Sequence, residues 1–289
     1  MDVYQLLISG ISQGCVYGLI ALGFVLIYKA TEMVNFAQGD MMMVGAFVAI
    51  TFVNVMGMPF IVGVIAAMGV MALFGAVIER LLLRPMIGEA HFAVLMLTIG
   101  LGFMLRALAG AIWGSSPRPL QTPYSGGVWQ LGELVIGYET LAIVLGTVVL
   151  CAALYGFFRF SRLGVAMQAA SQNQLAAYYV GIPVKRIYAL VWALSAVIAT
   201  AAGVLTAPVS LVDPMMGFIG IKAFAAAIVG GFGSLPGAIV GGLVVGLAEQ
   251  FAGLYLPPGF ADMTAYGILL VMLIVRPQGL VASMQRKKV

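Results

Sequence analysis

Long runs of residues without any charge dominate this chain and limit what it can fold into. No Asp, Glu, Lys or Arg occurs from Val3 to Tyr28, or from Met41 to Ile78. A helix crosses the hydrocarbon core of a bilayer with about 20 apolar residues. The first run is therefore long enough to cross once, and the second, which Asn54 to Pro59 interrupt, crosses twice. These runs predict a membrane protein built from helices.

The composition agrees with lipid as the main solvent. Of the 289 residues, 63% are hydrophobic and 8% are charged, whereas charged residues make up about 25% of soluble domains. The net charge of +4 comes from short cation clusters at span ends, without a basic stripe interleaved with aromatics, so nucleic-acid binding is excluded. Cys15 and Cys151 lie inside apolar runs, in a spacing that predicts neither disulfides nor a metal site. We expect no metal and no cofactor.

The last third of the chain differs from the rest in its glycine content. From Gly217 to Gly253, Gly and Ala dominate, and the sequence GGFGSLPG interrupts the middle. This pattern predicts two short or tilted helices joined by a tight turn, and transporters often build substrate sites from such broken helices. With further spans at 90–112, 140–158, 187–212 and 263–275, the predicted fold is all-α. It is a polytopic transmembrane helical bundle of about eight to ten spans, forming a single domain over residues 1–289.

Charge bias orients the predicted bundle. Residues 113–139 are rich in Pro and Gly with one cation and two acids, which indicates an external loop. Residues 159–186 contain four cations and no acid, which indicates a cytoplasmic loop. Arg286, Lys287 and Lys288 place the C-terminus in the cytoplasm as well. Asp40 is expected to pair or to lie near the membrane edge, and Arg106 to pair or to extend towards the headgroups.

The cytoplasmic loop predicts a surface helix. Gln168 to Tyr179 contains no Gly or Pro and is rich in Ala and Gln, which favour helix formation. Such a helix is either offered to a partner or rests on lipid headgroups. Its small side chains, which would let it seat in a partner's groove, are Ala169, Ala170, Ala176 and Ala177.

Four stretches carry motifs in a fixed order over nearly the whole chain. The first is N-F-A-x-G-x-x-x-x-x-G, formed by Asn35, Phe36, Ala37, Gly39 and Gly45, and the second is an E-R-x-x-x-R-P turn at residues 79–85. The third is G-x-A-x-x-A-x-x-x-N-x-x-A-A-x-x-x-G-I, formed by Gly164, Ala166, Ala169, Asn173, Ala176, Ala177, Gly181 and Ile182. The fourth runs from Lys222 through Gly230, Gly231, Gly233, Ser234, Pro236, Gly237, Gly241 and Gly242. Together they resemble the permeases of branched-chain amino-acid ABC importers, the LivH/LivM family, and most closely the H-type subunit.

The resemblance implies a transport subunit that is not itself an enzyme. Its implied partners are a second permease of the M-type, two ATP-binding subunits and a periplasmic solute-binding protein that delivers the amino acid. The implied location is the bacterial inner membrane, and the implied mechanism is alternating access driven by ATP. The chain lacks the G-x-x-x-x-G-K-[ST] loop that cradles ATP phosphates, so ATP hydrolysis is expected in the partner subunits. The residues implied to couple to the ATPase are Arg162, Gly164, Ala169, Asn173, Ala176, Ala177, Gly181 and Ile182.

Two groups of residues and one lysine are candidates for the substrate path. Asn35, Phe36, Gln38 and Gly39 form the first group, in which Asn35 alternatively caps a helix. Lys222 lies beside an apolar run, where an ionisable group suggests function but a lysine that extends to the interface is the alternative. Gly230, Gly231, Gly233 and Ser234 form the second group, for which a purely structural tight bend is the alternative.

Other functional classes and solutes remain open at this level. An intramembrane hydrolase is disfavoured because the chain has no H-E-x-x-H pair, and Ser234 is not part of G-x-S-x-G. An ion-coupled secondary transporter is the stronger rival, although most acids lie near predicted span ends, with Glu249 the nearest exception. Relatives with similar motifs carry urea, short amides or other amino acids, so these remain alternative solutes.

Overall fold

Eleven α-helices and one short β-hairpin make up the part of the chain that the computed structural model describes, residues 3–131, 134–257 and 259–281. The helices are α1 (Val3–Thr31), α2 (Gln38–Ile50), α3 (Phe60–Ile78), α4 (His91–Trp113), α5 (Tyr138–Phe160), α6 (Arg162–Gln172), α7 (Gln174–Tyr179), α8 (Val184–Ser210), α9 (Ile219–Gly230), α10 (Leu235–Tyr255) and α11 (Phe260–Val275). A π-helical turn, Thr51–Val55, extends α2, and π and 3-10 turns over Glu79–Met86 extend α3. A 3-10 turn, Met216–Phe218, precedes α9.

The central helix is α1, which packs against α10, α8, α9 and α5. Glycines bring its backbone against that of α10, since a Cβ atom at Gly14 would lie 2.7 Å from the Cα atom of Leu243. Membrane helices approach closely through small residues because lipid offers no hydrophobic drive for their association. The glycine spacing of α1 is therefore explained by its position in the middle of the bundle.

The polytopic helical bundle predicted from the sequence is confirmed. Seven helices in the described residues are long and apolar enough to cross a membrane, and α11 and the segment Met216–Gly230 are shorter apolar helices. The predicted interruption at Asn54 to Pro59 separates α2 from α3, and the glycine-rich turn separates α9 from α10. The broken helices of the C-terminal third are thus present.

Two loops contain more structure than the sequence predicted. Within residues 113–139, strands β1 (Val128–Leu131) and β2 (Leu134–Gly137) pair antiparallel, with Val128 opposite Gly137. The helix predicted from Gln168 to Tyr179 is instead split between α6 and α7. Asn173 separates them because its backbone is extended and its side-chain Oδ1 accepts the N–H of Ala176 at 2.9 Å, as an N-cap does.

The loop predicted to be external, residues 113–139, and the loop predicted to be cytoplasmic, residues 159–186, lie at opposite ends of the bundle. At the end that carries α6 and α7, the α6 end, Arg84 donates to the carbonyl of Lys185 at 3.2 Å. At the other end, the hairpin end, the side chain of Asn54 forms hydrogen bonds with the backbone of Pro119 and Gln121. The backbones of Arg118 and Val212 form an antiparallel β-bridge there. Arg286, Lys287 and Lys288, on which the orientation of the tail was predicted, lie outside the described residues.

Candidate functional site

A short non-helical segment, residues 32–37, connects α1 to α2 inside the bundle. Asn35 of this segment and Gln38, the first residue of α2, are fully buried, and the side-chain amide of Asn35 donates to Gln38 Oε1 at 3.3 Å. Ser195 of α8 donates to the same oxygen at 3.0 Å. Asn35 does not cap α2, whose N-cap is Ala37; its Oδ1 instead accepts the N–H of Ala37. Irregular backbone at membrane depth is tolerated only where protein or a cavity surrounds it.

The first turn of α2 carries a buried ion pair. Asp40 Oδ1 accepts two hydrogen bonds from Arg106 of α4, from Nη2 at 2.8 Å and from Nε at 3.2 Å. The Asp40 side chain is 6% exposed and that of Arg106 15%. Glycines leave room for this carboxylate, since a Cβ at Gly102 would lie 2.5 Å from Asp40 Oδ2 and one at Gly217 3.0 Å from Asp40 Cγ.

This ion pair lines a cavity of about 120 Å³, the α2 cavity, which α2, α4 and α9 surround. Its aromatic lining consists of Phe24, Phe36, Phe103, Phe218 and Phe224. The guanidinium of Arg106 lies 3.9 Å from the ring centroid of Phe218, and Phe36 contacts Phe224 with centroids 4.9 Å apart. The cavity thus combines apolar walls with one positive and one negative group.

A larger cavity of about 630 Å³, the α5 cavity, lies at the α6 end between α1, α5, α6 and α10. Of the residues predicted for the substrate path, it contains Gly233 and Ser234, and Lys29 is the cation in its lining. No acid lines it within the described residues, so a solute's ammonium group would find no counter-charge there. Ser234 caps α10 by accepting the N–H of Gly237 at 3.1 Å.

The glycine-rich turn is held between helices and the chain's last described residues. Gly231 adopts a φ of +102°, which favours glycine, and the N–H of Val281 donates to the carbonyl of Gly230 at 3.1 Å. A row of rings connects this turn with the α2 cavity, because Phe224 contacts Phe232, with centroids 5.6 Å apart, and Phe36 contacts Phe224. The two groups of residues predicted for the substrate path therefore lie beside the same row of aromatic rings, but they do not line one common pocket.

Lys222 belongs to a third cluster. Its ammonium donates to Glu249 Oε1 of α10 at 2.5 Å and to Asp262 Oδ1 of α11 at 2.6 Å. The second oxygen of Glu249 accepts the hydroxyl of Tyr17 of α1 at 2.6 Å. Lys222 is thus paired with two acids and ties three helices to one another. Among the described residues, no group of three or more His, Cys, Asp or Glu is placed to hold a metal ion.

The residues predicted for ATPase coupling lie on α6, α7 and the turn after them, at the α6 end. Gly164 and Ala177 are buried, whereas Arg162, Asn173, Ala176 and Gly181 are exposed, and Ala169 and Ile182 are half-buried. Beyond Ala177 the chain exposes three large apolar side chains, Tyr178, Tyr179 and Val180. These three residues form an exposed apolar tip on the segment.

Sequence reasoning did not assign Asp40, Arg106 and Phe218 to a common site. Arg106 is the sole charged residue of α4, and an ionisable group inside a span is itself a signal of function. The sequence does not show that Arg106 pairs with Asp40, because 66 positions separate the two residues.

Comparison with known proteins identifies the family. Residues 6–275 match the family described as the branched-chain amino acid transport system permease component. The chain belongs to this permease family.

Several permeases resemble it over most of their length. LivH of Escherichia coli, named a high-affinity branched-chain amino acid transport system permease protein, is 31% identical over 99% of this chain and 97% of its own. BraD of Pseudomonas aeruginosa, named in the same way, is 33% identical over the same shares. A protein of Methanocaldococcus jannaschii, named a probable branched-chain amino acid transport permease protein LivH, is 30% identical over 91% of this permease and 87% of its own chain.

One solved structure resembles the permease in fold. PsaBC from Streptococcus pneumoniae in complex with Fab aligns over 95% of this chain and 92% of its own, with a TM-score of 0.51 and 16% identity. At that identity the likeness concerns the fold alone.

Proposed function

We propose that this permease is the membrane-spanning subunit of an ATP-driven ABC importer for branched-chain amino acids. A periplasmic binding protein delivers the amino acid at the hairpin end, and a second permease of the M-type completes the path through the bacterial inner membrane. ATP is hydrolysed in two separate subunits that dock at the α6 end. The full-length similarity to permeases named for branched-chain amino acid transport supports the choice of solute.

The structural observation that carries this proposal is the α2 cavity. It lies where non-helical backbone is buried inside a membrane bundle, which is where transporters build their substrate sites. At about 120 Å³ it is smaller than the ~300–1,000 Å³ of pockets for drug-sized ligands and matches a small solute. Its aromatic walls suit an apolar side chain.

Docking of the ATPase at the α6 end rests on charge and exposure. The cations of this end include Arg84, Arg159, Arg162, Lys185 and Arg186, which favours the cytoplasmic side. This orientation also agrees with a cytoplasmic C-terminus. The apolar tip formed by Tyr178, Tyr179 and Val180 is more than half exposed, so a partner gains free energy by covering it.

Uptake into proteoliposomes tests the proposal. The permease is reconstituted with its M-type partner, the ATPases and the binding protein, and labelled leucine is supplied with and without ATP. We expect uptake only with ATP and all components, and none when the ATPase carries an inactivating substitution. Uptake by this chain alone, driven by an ion gradient and abolished by an ionophore, would replace the proposal with a secondary transporter.

A further inference from the structure

The Asp40–Arg106 pair in the α2 cavity leaves one nitrogen and one oxygen without a hydrogen bond. Both donors of Arg106 that bond Asp40, Nε and Nη2, go to the same oxygen, Oδ1. A guanidinium and a carboxylate normally meet through two parallel hydrogen bonds to two oxygens. Among the described residues, Arg106 Nη1 has no acceptor and Asp40 Oδ2 has no donor.

Both side chains are largely buried, but the two unbonded atoms are not sealed from solvent. In the described residues, the fully buried side-chain atom without a hydrogen-bond partner is the hydroxyl oxygen of Tyr124, so Arg106 Nη1 and Asp40 Oδ2 remain accessible beside the cavity that both residues line. The neighbours of the pair do not supply the missing partners: Phe218 covers the guanidinium, and the backbone at Gly102 lies beside Oδ2. The pair therefore has one unbonded guanidinium nitrogen, Nη1, and one unbonded carboxylate oxygen, Oδ2, beside a cavity of about 120 Å³.

The walls around the pair complete the chemical description. Phe36, Ile99, Ile221 and Phe224 line the same cavity, and Phe103 and Ile221 are partly open to the outside of the chain. A solute that fits such a site carries a negative group, a positive group and an apolar portion. A free amino acid with a branched aliphatic side chain has these three features, whereas urea and short amides have no charge.

We propose that Asp40 and Arg106 are the contacts that select a zwitterionic amino acid during passage. The solute's carboxylate accepts from Arg106 and its ammonium donates to Asp40, while the side chain lies against the phenylalanine rings. This inference rests on the proposed function and narrows it, since it separates amino acids from the neutral solutes that relatives with similar motifs carry. The second permease closes the open side of the cavity.

Direct binding tests the site without transport. Saturation-transfer NMR detects weak solutes on the assembled permease–ATPase complex in detergent, without the binding protein. For the wild-type complex we expect a signal from leucine, and signals weaker by about tenfold or more from leucinamide, which has no carboxylate, and from isocaproate, which has no amine. Equal signals from the three solutes, or none from leucine, would overturn the proposal.

A neutral double variant separates recognition from structural support. D40N/R106Q keeps hydrogen-bonding side chains without leaving an unpaired charge, so a pair that serves only the fold tolerates it. We expect this variant to assemble and to hydrolyse ATP, but to lose the leucine signal and ATP-driven leucine uptake. The matched control is E79Q/R84Q, which neutralises an ion pair of similar length, 2.9 Å, at the α6 end and should keep the leucine signal.

Failure of the role proposed for Asp40 and Arg106 can be told apart from failure of the proposed importer function. Leucine signal and uptake within about twofold of wild type in D40N/R106Q would show the pair to be structural, since a lost charged contact changes binding by more than that. If D40N/R106Q does not assemble, the analogue series on the wild-type complex decides alone. If uptake by the wild-type complex does not need ATP, the importer itself is wrong, whatever the NMR signals show.

Discussion

Gly39 and Gly220 face each other where the first turn of α2 meets the first turn of α9. A Cβ atom at Gly39 would lie 2.8 Å from the Cα atom of Gly220, a distance that real Cβ contacts essentially never show. The contact is between two backbones, so no side chain can move aside. It fixes the position of α2 relative to α9, and with it the floor of the α2 cavity, to which Gly220 contributes.

Gly39→Ala is therefore expected to lower both stability and uptake. Overpacking of a tight contact costs about 1–3 kcal/mol, and the shift of α2 displaces Asp40. The melting temperature of the purified complex and labelled leucine uptake measure the two effects. Gly100→Ala in α4 is the control: it has open space, and a helical Gly→Ala change is stabilising by about 0.5–1 kcal/mol. Equal melting temperatures for the two variants would contradict the close contact.

Lys222→Met is expected to destabilise the bundle because it leaves Glu249 buried without its counter-charge. Breaking a buried ion pair costs about 3–5 kcal/mol, and the partial exposure of Lys222 places this case at the low end. The melting temperature should fall, and K222M/E249Q should recover most of the loss, since a neutral amide remains a partner for Tyr17. Asp262→Asn is the control and should have little effect because this side chain is 72% exposed. A K222M/E249Q variant as unstable as K222M would rule out the ion pair as the cause.

This prediction also separates two roles of Lys222. If the lysine serves the substrate path as well as the fold, K222M/E249Q recovers stability but not uptake. Recovery of both would assign Lys222 to the fold, and the substrate path would then rest on the α2 cavity.

Local chemistry made some features of the fold predictable. The break between α2 and α3, predicted at Asn54 to Pro59, follows from Gly57, which adopts a φ of +68°, and from Pro59, the N-cap of α3, which has no N–H for a helical hydrogen bond. The turn between α9 and α10 follows in the same way from its glycines. In both cases the residues that end the helix lie at the break itself.

The candidate site could be predicted only in part. The first motif, from Asn35 to Gly39, lies in the segment that borders the α2 cavity. The partner of Asp40 lies on a helix far along the chain, and contacts between membrane helices leave little trace in a pattern of apolar residues. The burial of Asn35 and Gln38 likewise depends on α8, so sequence alone could not separate side chains that position the segment from those that line the cavity.

Tyr179→Ala is expected to weaken docking of the ATPase without disturbing the permease. The side chain is 81% exposed at the tip of α7 and contacts the ring of Tyr178, with centroids 6.2 Å apart, so its loss removes little packing within this chain. We expect less ATPase to co-purify and a smaller stimulation of ATP hydrolysis by the loaded binding protein. Tyr255→Ala, at the far end of α10 and 71% exposed, is the matched control. If both variants retain the ATPase equally, the tip rests on lipid headgroups instead.

Ala177→Arg is a poor probe of docking, because Ala177 is buried and the arginine would disturb α7 itself.

Asn173 allows the fold of α7 to be separated from the contact with the ATPase that we propose for it. Asn173→Ala removes the N-cap of α7, which stabilises a helix by about 1 kcal/mol, and should speed amide hydrogen exchange in residues 174–180 by about fivefold. Asn173→Ser keeps a side-chain oxygen at the cap and should leave exchange close to that of the wild type. If both variants lose stimulated ATP hydrolysis, the amide of Asn173 itself contacts the ATPase. If only Asn173→Ala loses it, the helix end is what the ATPase needs, and unchanged exchange in Asn173→Ala would contradict the cap.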